Sequence, residues 1–444
     1  MSRVGIVGGG MLGMTLAWNL AGAGHEVTIF EGAPRCGGLA GPWELGEVVW
    51  DRHYHVTLAS DLALLALLRE LDLESELRWT RPGTGFFVDG ELYPFSGALD
   101  YLRFPALNPV QKLRLGTTIM RASRITDWRP LEKLTAVEWL TRLSGRGTVE
   151  RIWLPLLRAK LGPNAERASA AFIWAIIARM YAARGGPQRE QFGYVSGGYD
   201  KTLRRFEERL AARGVEIRTS CRIESVEAVD GGVGVVAGSQ MERFDRVVVT
   251  LAAPLAPRII PGLTESERAL CAGVEYQGII CASLLCDEPL TSYYITNIAD
   301  SSVPYTAVIE MTALIDRREL AGHSLIYLPK YVASDDPAFL RDDKAIEASF
   351  LTALERMHPQ FKRSAVRAFR ISRVPYVFPI PTIGYSDRLP PVRTSIPGLF
   401  MASSANIVNG TLNVNETVKL ANALTAEVLS QPAPTSNEVL RSVA

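Results

Sequence analysis

The sequence has almost no excess charge and few cysteines or histidines. In its 444 residues, 48 lysines and arginines are balanced by 47 aspartates and glutamates, which leaves a net charge of +1. This balance disfavours a general polyanion binder, so nucleic acid is not an expected partner. The five cysteines form no Cys-x-x-Cys pair and there are five histidines, so neither a disulfide scaffold nor a metal site is predicted. A reducing, cytoplasmic location fits this pattern best.

An uncharged run near the N-terminus, Val4 to His25, is as long as a membrane span. It contains seven glycines and leads directly into a patterned strand instead of a small-residue cleavage site. We therefore interpret it as part of a folded domain, not as an anchor or signal peptide. Motifs for phosphoryl transfer, serine hydrolysis and zinc hydrolysis are absent. The length and the 47% hydrophobic content predict two cooperating folded domains.

The motif that is present is a glycine-rich turn between a strand and a helix. Residues 4–7 are strand-like and residues 14–23 are helix-like, and the pattern Gly8-x-Gly10-x-x-Gly13 lies between them. The first glycine permits the tight turn, the second admits a pyrophosphate and the third allows close helix–strand packing. The predicted cofactor contacts of this turn are Gly8, Gly10, Met11, Leu12 and Gly13.

An acidic residue ends the second strand, at the position that a bound ribose would require. Residues 27–30 form the strand and Glu31 follows it. Glu31 can hydrogen-bond a ribose hydroxyl and would repel a ribose 2′-phosphate, which disfavours NADP. At this point both NAD and FAD remain open.

The next segment, Arg35-Cys36-Gly37-Gly38-Leu39-Ala40, resembles the extended fingerprint of the flavin-containing amine oxidase superfamily. That superfamily includes protoporphyrinogen oxidases, phytoene desaturase-like enzymes and, more distantly, UDP-galactopyranose mutases. Leu39 stands where amine oxidases usually carry arginine, so the protoporphyrinogen oxidase-like and desaturase-like branches are more similar. The resemblance implies FAD as the cofactor. It places Glu31, Gly32, Arg35, Gly37, Gly38 and Leu39 at the adenosine ribose, the diphosphate and the ribityl chain.

A histidine-containing segment, residues 50–55, is similar to the family's Asp-x-Gly-x-His segment near the flavin ring. The resemblance implies that His53, Tyr54 and His55 lie near the flavin, with the two histidines as candidate catalytic residues. The alternative is that they are packed structural histidines. Lys330 is a third candidate, because some family members use a lysine that holds water against flavin N5, although a surface lysine is the alternative. The catalytic residues are otherwise unknown.

Two further segments complete the resemblance. The chain resembles the superfamily's return into the FAD domain near Ile223, whose backbone would meet the adenine. The strand at 397–402 and the helix at 413–429 resemble the closing motif, in which the helix N-terminus faces the flavin. Ser403 and Ser404 replace the usual Gly-Asp there, so hydroxyl or N–H groups would hold the ribityl chain. Asn413 and Val414 begin that helix.

The order of these motifs predicts an α/β fold. A Rossmann-like FAD-binding domain is built from the discontinuous segments 1–80, 193–262 and 385–430. An α+β substrate-binding domain with a mixed sheet and helices is built from 81–192 and 263–384, and 431–444 is a tail. The basic amphipathic stretch 103–133 predicts either peripheral membrane contact or a solvated face. The apolar segments around Trp153 and Trp174 are either core or the lining of a hydrophobic substrate site.

The first functional hypothesis is an FAD-dependent oxidoreductase, an oxidase or a desaturase. It would transfer a hydride from a C–C or C–N bond of a small or hydrophobic substrate to flavin N5. The second hypothesis is a non-redox flavoprotein that resembles UDP-galactopyranose mutase and acts on an activated sugar. The third is a flavin-free binding or scaffold protein. The expected partner is a small-molecule substrate, and the sequence does not predict an oligomeric state.

Overall fold

The predicted mixture of strands and helices is present in the computed structural model, which describes residues 1–182, 191–408 and 411–430. The strands are β1 (Arg3–Val7), β2 (Glu26–Phe30), β3 (Pro42–Leu45), β4 (Val48–Asp51), β5 (Thr57–Leu58), β6 (Leu77–Thr80), β7 (Gly83–Val88), β8 (Glu91–Pro94), β9 (Phe192–Val195), β10 (Glu216–Arg218), β11 (Ser225–Val229), β12 (Gly232–Ala237), β13 (Gln240–Phe244), β14 (Arg246–Val249), β15 (Tyr276–Cys286), β16 (Tyr293–Ile298), β17 (Ala307–Glu310), β18 (Ser324–Ala333), β19 (Val366–Pro379) and β20 (Leu399–Met401). The helices are α1 (Met11–Gly22), α2 (Leu62–Glu70), α3 (Ala98–Arg103), α4 (Pro109–Ala122), α5 (Ala136–Ser144), α6 (Arg146–Thr148), α7 (Leu154–Leu161), α8 (Ala170–Ala182), α9 (Gly198–Ala212), α10 (Glu265–Ala272), α11 (Asp343–Met357) and α12 (Val414–Leu429). The predicted tail 431–444 lies outside the described residues.

The first large sheet is parallel and has the strand order β10-β2-β1-β14-β20. Its strands come from three separated parts of the chain. Val4 and Ile6 of the central strand are buried in one core, while Val7 is buried in a second core on the other face. Both faces are therefore covered, as a parallel sheet requires. This confirms the predicted α/β fold with a discontinuous Rossmann-like part, whereas the exact domain boundaries stay predictions.

The helices over this sheet tie its distant parts together. Trp18 of α1 packs edge-on against Phe206 of α9, with ring centroids 6.2 Å apart. Asn415, in the first turn of α12, accepts hydrogen bonds from the amides of Ala63 and Leu64 at 3.0 and 3.1 Å. It therefore supplies the N-terminal cap of α2 from more than 350 residues away.

The second large sheet is mixed and has the order β19-β15-β18-β17-β16-β7-β8. Neighbouring strands are antiparallel except β16 and β7. Side chains alternate between the faces of β18: Ile326 and Leu328 pack with α11, while Leu325 and Tyr327 pack on the opposite face. The predicted hairpin around Asp89-Gly90 is present as β7 and β8.

A helical layer, α3 to α8, covers the end of the mixed sheet. Its core contains Trp139, Trp153 and Trp174, and the indole N–H of Trp174 donates to the carbonyl of Ala122 at 3.0 Å. Both tryptophans singled out in the sequence thus lie in this core. Among the described residues, no helix has the length and apolarity that a membrane crossing requires.

Candidate active site

The turn between β1 and α1 leaves room for a phosphate group. Gly8 has a φ of +113°, and a Cβ on Gly13 would lie 1.9 Å from the carbonyl oxygen of Gly8. A Cβ on Gly10 would have its nearest neighbour at 3.9 Å, so the space in front of it is open. Within the described residues no side chain caps α1. The amides at Met11 and Leu12 are therefore available to an anion at the helix N-terminus.

The glycine doublet lies directly against this turn. The amide of Gly37 donates to the carbonyl of Gly9 at 2.8 Å, and Gly37 also forms a parallel bridge with Gly10. A Cβ on Gly38 would come within 3.2 Å of the Gly10 Cα. Two glycine segments thus form one surface from which side chains are absent, and we call this surface the cradle (Gly8–Gly10, Gly37 and Gly38).

Glu31 is held in place at the end of β2. One carboxylate oxygen accepts from the amide of Gly9 at 2.7 Å and the other from the amide of Ala33 at 2.8 Å. The next residue, Gly32, has nothing within 4 Å of a Cβ position. The amide of Cys221 donates to the Glu31 carbonyl at 2.9 Å, which brings the segment containing Ile223 to the same strand end. The structure therefore brings the start of the segment that contains Ile223 to Glu31, and the contact of the Ile223 backbone with adenine stays a prediction.

Arg35 is placed at the edge of the cradle, in an ion pair with Asp200 of α9. The two side chains are 2.6 Å apart, and the Arg35 side chain is 46% exposed. Leu203 of the same helix fills the space beside Gly37. This ion pair uses one nitrogen of the guanidinium and does not test the predicted contact of Arg35 with a diphosphate, which stays a prediction.

A short segment, residues 51–55, connects the cradle to the mixed sheet, and we call it the bridging segment. Arg52 donates to the carbonyl of Gly38 at 2.7 Å. Nδ1 of His53 donates to the carbonyl of Leu39 at 3.2 Å, and its Nε2 accepts from the hydroxyl of Ser372 in β19 at 3.1 Å. The carbonyl can only accept, which assigns the proton to Nδ1. Leu39 is thus part of the same connection.

His53 is a neutral, positioning residue in this arrangement. Burial, together with the nearby Arg52 cation, lowers the pKa of His53 to about 3. Since both ring nitrogens are engaged, the ring neither gains a proton near neutral pH nor has a free donor for a substrate. This geometry favours the structural interpretation of His53.

His55 lies on the α9 side of the bridging segment. Its Nδ1 is 3.7 Å from the carboxylate of Asp51, and its ring centroid is 4.8 Å from that of Tyr199. Asp51 also accepts from the Tyr199 amide at 2.7 Å and so fixes the start of α9. These side chains line a cleft with Trp50. Nδ1 of His55 and the indole nitrogen of Trp50 are buried without a hydrogen-bond partner in the described residues, so a polar ligand could satisfy them.

Tyr54 belongs to a different group of side chains. Its hydroxyl is 2.9 Å from the hydroxyl of Tyr331. The Tyr331 ring packs edge-on against Phe378 at 5.6 Å, and Phe378 stacks with Phe172 at 6.4 Å. We call this group, which consists of Tyr54, Phe172, Tyr331 and Phe378, the aromatic chamber.

Two cations border the chamber, and neither was predicted from the sequence as a site residue. Nζ of Lys160 lies 5.6 Å from the ring centroids of both Tyr331 and Phe378. Arg179 of α8 forms an ion pair with Asp61 at 2.9 Å. The sequence does contain a pattern that could have indicated Lys160. It lies four residues after Leu156 and seven after Trp153, which places it on the same face of a helix as these apolar residues. A lysine on an apolar helix face is a candidate for a buried cation.

Lys330 is not part of this chamber. It is paired with Ile280 of the neighbouring strand. Both residues lie on the face of the sheet that packs against α11. Tyr331, the next residue, is on the chamber face because side chains alternate along a strand. The structure thus brings Lys160, and not Lys330, to the aromatic chamber.

The closing motif is built as a strand, a capped turn and a helix. Ser403 and Ser404 each place their hydroxyl 3.3 Å from the hydroxyl of Tyr276. The side chain of Asn413 accepts from the amide of Glu416 at 3.0 Å and caps α12. Val414 is the first residue of the helix. The two serine hydroxyls and the helix N-terminus therefore all stay candidates for holding a flavin.

These features fit a dinucleotide, whose two halves are joined by a negatively charged pyrophosphate. The cradle has no side chains where a pyrophosphate would lie, α1 presents free amides, and Glu31 is oriented where a ribose would follow. The fold and this site define a dinucleotide-binding protein of the flavoprotein type.

Comparison with known proteins identifies the family. Residues 12–414 match the family model of flavin containing amine oxidoreductases. The chain belongs to this family, and FAD is its cofactor, as the sequence predicted.

Individual relatives are distant. A zeta-carotene desaturase from Synechocystis sp. is 26% identical over 288 residues, 59% of this chain and 58% of the relative. A 15-cis-phytoene desaturase from Synechococcus elongatus is 21% identical over 96% of this chain and 95% of its own length. The crystal structure of an oxidoreductase from Methanosarcina mazei has a TM-score of 0.76 at 18% identity, over 96% of this chain and 100% of that chain. The matched region spans little more than half of the zeta-carotene desaturase.

Proposed function

We propose that the protein is an FAD-dependent oxidoreductase, a desaturase or an oxidase, that removes hydride from a C–C or C–N bond of a small or hydrophobic substrate. The observation that carries this proposal is the bridging segment. It is hydrogen-bonded to the cradle through Arg52 and His53, and Tyr54 enters the aromatic chamber from the same segment. A molecule in the chamber therefore lies next to the end of the cofactor site.

The bound FAD supplies the electron acceptor for such a reaction. The chain's own residues bind the substrate, orient it and exclude water. The rings of Tyr54, Tyr331 and Phe378 form an apolar wall, and burial raises the pKa of Tyr54 well above its ordinary value. The Tyr54 hydroxyl therefore stays protonated and acts as a hydrogen-bond donor or acceptor, not as a base.

The absorption spectrum of the purified protein tests the proposal. Expected results are a flavin spectrum, release of FAD on heating, and bleaching under anaerobic reduction. Rapid reoxidation in air would identify an oxidase, and slow reoxidation would favour a desaturase. A protein that takes up no FAD would overturn the proposal and favour the scaffold hypothesis. Conversion of an activated sugar that requires reduced flavin but consumes no electrons overall would favour the mutase hypothesis.

We also propose a cytoplasmic location. All five cysteines are free, and four of them, Cys36, Cys271, Cys281 and Cys286, are buried. Free thiols are typical of a reducing compartment. Fractionation of cells that produce the protein checks this proposal, and recovery of disulfide-linked protein from an oxidising compartment would contradict it.

A surface formed by α3 and α4 supports peripheral membrane contact as a further part of the proposal. Leu99, Leu102, Val110 and Leu113 are 60–70% exposed there. The same surface carries the exposed cations Arg103, Arg114, Arg121 and Arg124, and none of these makes an ion pair within the described residues. Exposed leucines beside unpaired cations fit the boundary of an anionic lipid bilayer.

Vesicle co-sedimentation tests this surface. We expect binding to phosphatidylglycerol vesicles, weaker binding to phosphatidylcholine, and loss of binding in the variant Leu102→Ser/Leu113→Ser. Leu340→Ser is the matched control, because Leu340 is 89% exposed and lies outside this surface. Equal sedimentation of the double variant and the wild type would contradict the proposal.

A further inference from the structure

Lys160 occupies an unusual position for a lysine. It lies near the end of α7, one residue before Leu161, which is fully buried. Its ammonium group is directed at ring faces, 5.6 Å from the centroids of Tyr331 and Phe378. A cation beside two rings gains cation–π attraction, but this interaction replaces only part of its hydration.

The described residues supply no anion to Lys160. The carboxylate of Asp61 is bound by Arg179 through three contacts of 2.9–3.3 Å. Asp61 also accepts from the amide of Leu58 at 2.9 Å. Since Arg179 and Asp61 neutralise each other, the chamber is left with one uncompensated positive charge, on Lys160.

The tyrosines and the cysteine around the chamber stay neutral over the ordinary pH range. Burial raises the pKa of Tyr331 to about 12 and raises the pKa of Tyr54, Tyr294 and Cys281 well beyond their ordinary values. For Lys160 the same burial, together with the positive charge of Arg179, lowers the pKa to about 8. The charge of the chamber therefore changes at Lys160 first as the pH rises.

We infer that the aromatic chamber binds a largely apolar molecule that carries a carboxylate, with the carboxylate on Lys160 and the apolar body along Tyr331, Phe378 and Phe172. A carboxylate at this position would supply the missing counter-charge and accept hydrogen bonds from the ammonium group. The inference rests on the proposed function in one respect. It assumes that the body of the molecule points from Lys160 past Tyr54 toward the cofactor site.

The same charge argues against a cationic substrate. A protonated amine or diamine in this chamber would meet Lys160 and Arg179 with no free carboxylate among the described residues. Like charges at short range in an apolar pocket repel strongly. Within a family named for amine oxidation, this chain thus presents a chamber of the opposite charge preference.

Three ligands with one body and different head groups test the inference. The FAD-loaded protein is titrated with 4-phenylbutyrate, 4-phenylbutyramide and 4-phenylbutylamine, and binding is followed by calorimetry and by the flavin difference spectrum. We expect the carboxylate to bind at least tenfold more tightly than the amide at pH 7, and the amine to bind most weakly. Equal affinities for acid and amide, or tightest binding of the amine, would overturn the inference.

Variants locate the effect. Lys160→Met should abolish the preference for the carboxylate while it retains binding of the amide, and Lys160→Arg should keep the preference. Lys330→Met is the control, because it removes a lysine from the opposite face of the same sheet. A preference that persists in Lys160→Met, or that disappears in Lys330→Met, would overturn the assignment to Lys160.

The pH dependence gives a readout that a merely structural lysine would not move. In the wild type the preference for the carboxylate should fall between pH 7 and pH 9.5, as Lys160 loses its proton. In Lys160→Arg it should stay constant over that range, because arginine keeps its charge.

The proposed function can fail separately from this inference. Calorimetry reports carboxylate binding whether or not the flavin responds. A carboxylate preference without any change in the flavin spectrum would support the Lys160 site and contradict a chamber that adjoins the flavin.

Discussion

The parallel sheet and the mixed sheet present different atoms to their ligands. At the parallel sheet, the cradle offers backbone amides and open space, and its specificity comes from glycine positions such as Gly8, Gly13 and Gly37. At the mixed sheet, the aromatic chamber offers side chains, among them Tyr54, Lys160 and Tyr331. A backbone site depends on local spacing along the chain, whereas a side-chain site depends on which strands and helices meet. The comparison explains why the spacing of residues predicts the first site and does not predict the second.

The largest effect is expected from a methyl group in the cradle. Gly13→Ala places a Cβ 1.9 Å from the carbonyl oxygen of Gly8, so the helix must move away from the strand. We expect a loss of about 3 kcal/mol in the free energy of unfolding and loss of most bound FAD. Urea unfolding and the flavin content of the purified protein measure both.

The matched control for this change is Gly116→Ala in α4. A Cβ at Gly116 meets nothing within 4 Å, so the same substitution should stabilise the helix by about 0.5–1 kcal/mol. Similar destabilisation by the two substitutions would show that the close approach of Gly13 to the Gly8 carbonyl is not the cause of the effect.

The second effect tests the side chains near the chamber. Asp61 is 2% exposed and is the partner of Arg179. Asp61→Asn leaves the guanidinium without a counter-charge, and we expect a loss of about 3 kcal/mol in the free energy of unfolding. Asp127→Asn, at an exposed pair with Arg129, is the control and should cost less than about 0.5 kcal/mol. A small effect of Asp61→Asn would mean that water reaches Arg179.

Acid should weaken the connection between the two sheets. The folded-state pKa of His53, about 3, is below its ordinary value of 6.5, so its contribution to stability is present above pH 6.5 and is lost as the pH falls toward 3. Between pH 7 and pH 5 this amounts to about 2 kcal/mol. Urea unfolding at both pH values measures it.

His53→Asn should reduce that pH dependence, since asparagine does not titrate. It should not remove the dependence completely, because burial also lowers the pKa of His358 to about 4. An unchanged slope of stability against pH in His53→Asn would contradict a neutral, buried His53.

The smallest effect is expected at Glu31. Glu31→Gln keeps the shape but removes the charge that two amides contact, and we expect about tenfold weaker FAD binding, or about 1.4 kcal/mol. The control is Glu26→Gln on the same strand, where the carboxylate is in an exposed pair with Arg3. Equal FAD affinities of the two variants would show that the Glu31 charge is not used.

The same comparison accounts for what the sequence could predict. The fold class, the cradle and the position of Glu31 follow from spacing within the first forty residues, because the turn and its two strands are local. The closing helix is also recognisable from its cap at Asn413. These predictions depend on backbone conformation, which short sequence patterns report well.

The chamber could not be predicted in this way. Lys160, Tyr54 and Tyr331 are separated by about 100 to 280 residues, and nothing local indicates that they meet. Lys330 was a candidate because some family members use a lysine that holds water against flavin N5, and the sequence could not show that its strand position lies on the face toward α11. The prediction that Ser403 and Ser404 contact the cofactor could not include Tyr276, whose hydroxyl lies 3.3 Å from both serine hydroxyls, and it stays a prediction. Long-range contacts of this kind require the assembled sheet.

The place of β20 at the edge of the parallel sheet has a consequence for biosynthesis. β20 pairs with β14, and α12 starts at Val414. A nascent polypeptide must therefore be synthesised past residue 401 before this edge of the sheet can close. Truncated chains that end before residue 399 lack this edge and should accumulate as apoprotein however much FAD the cell contains.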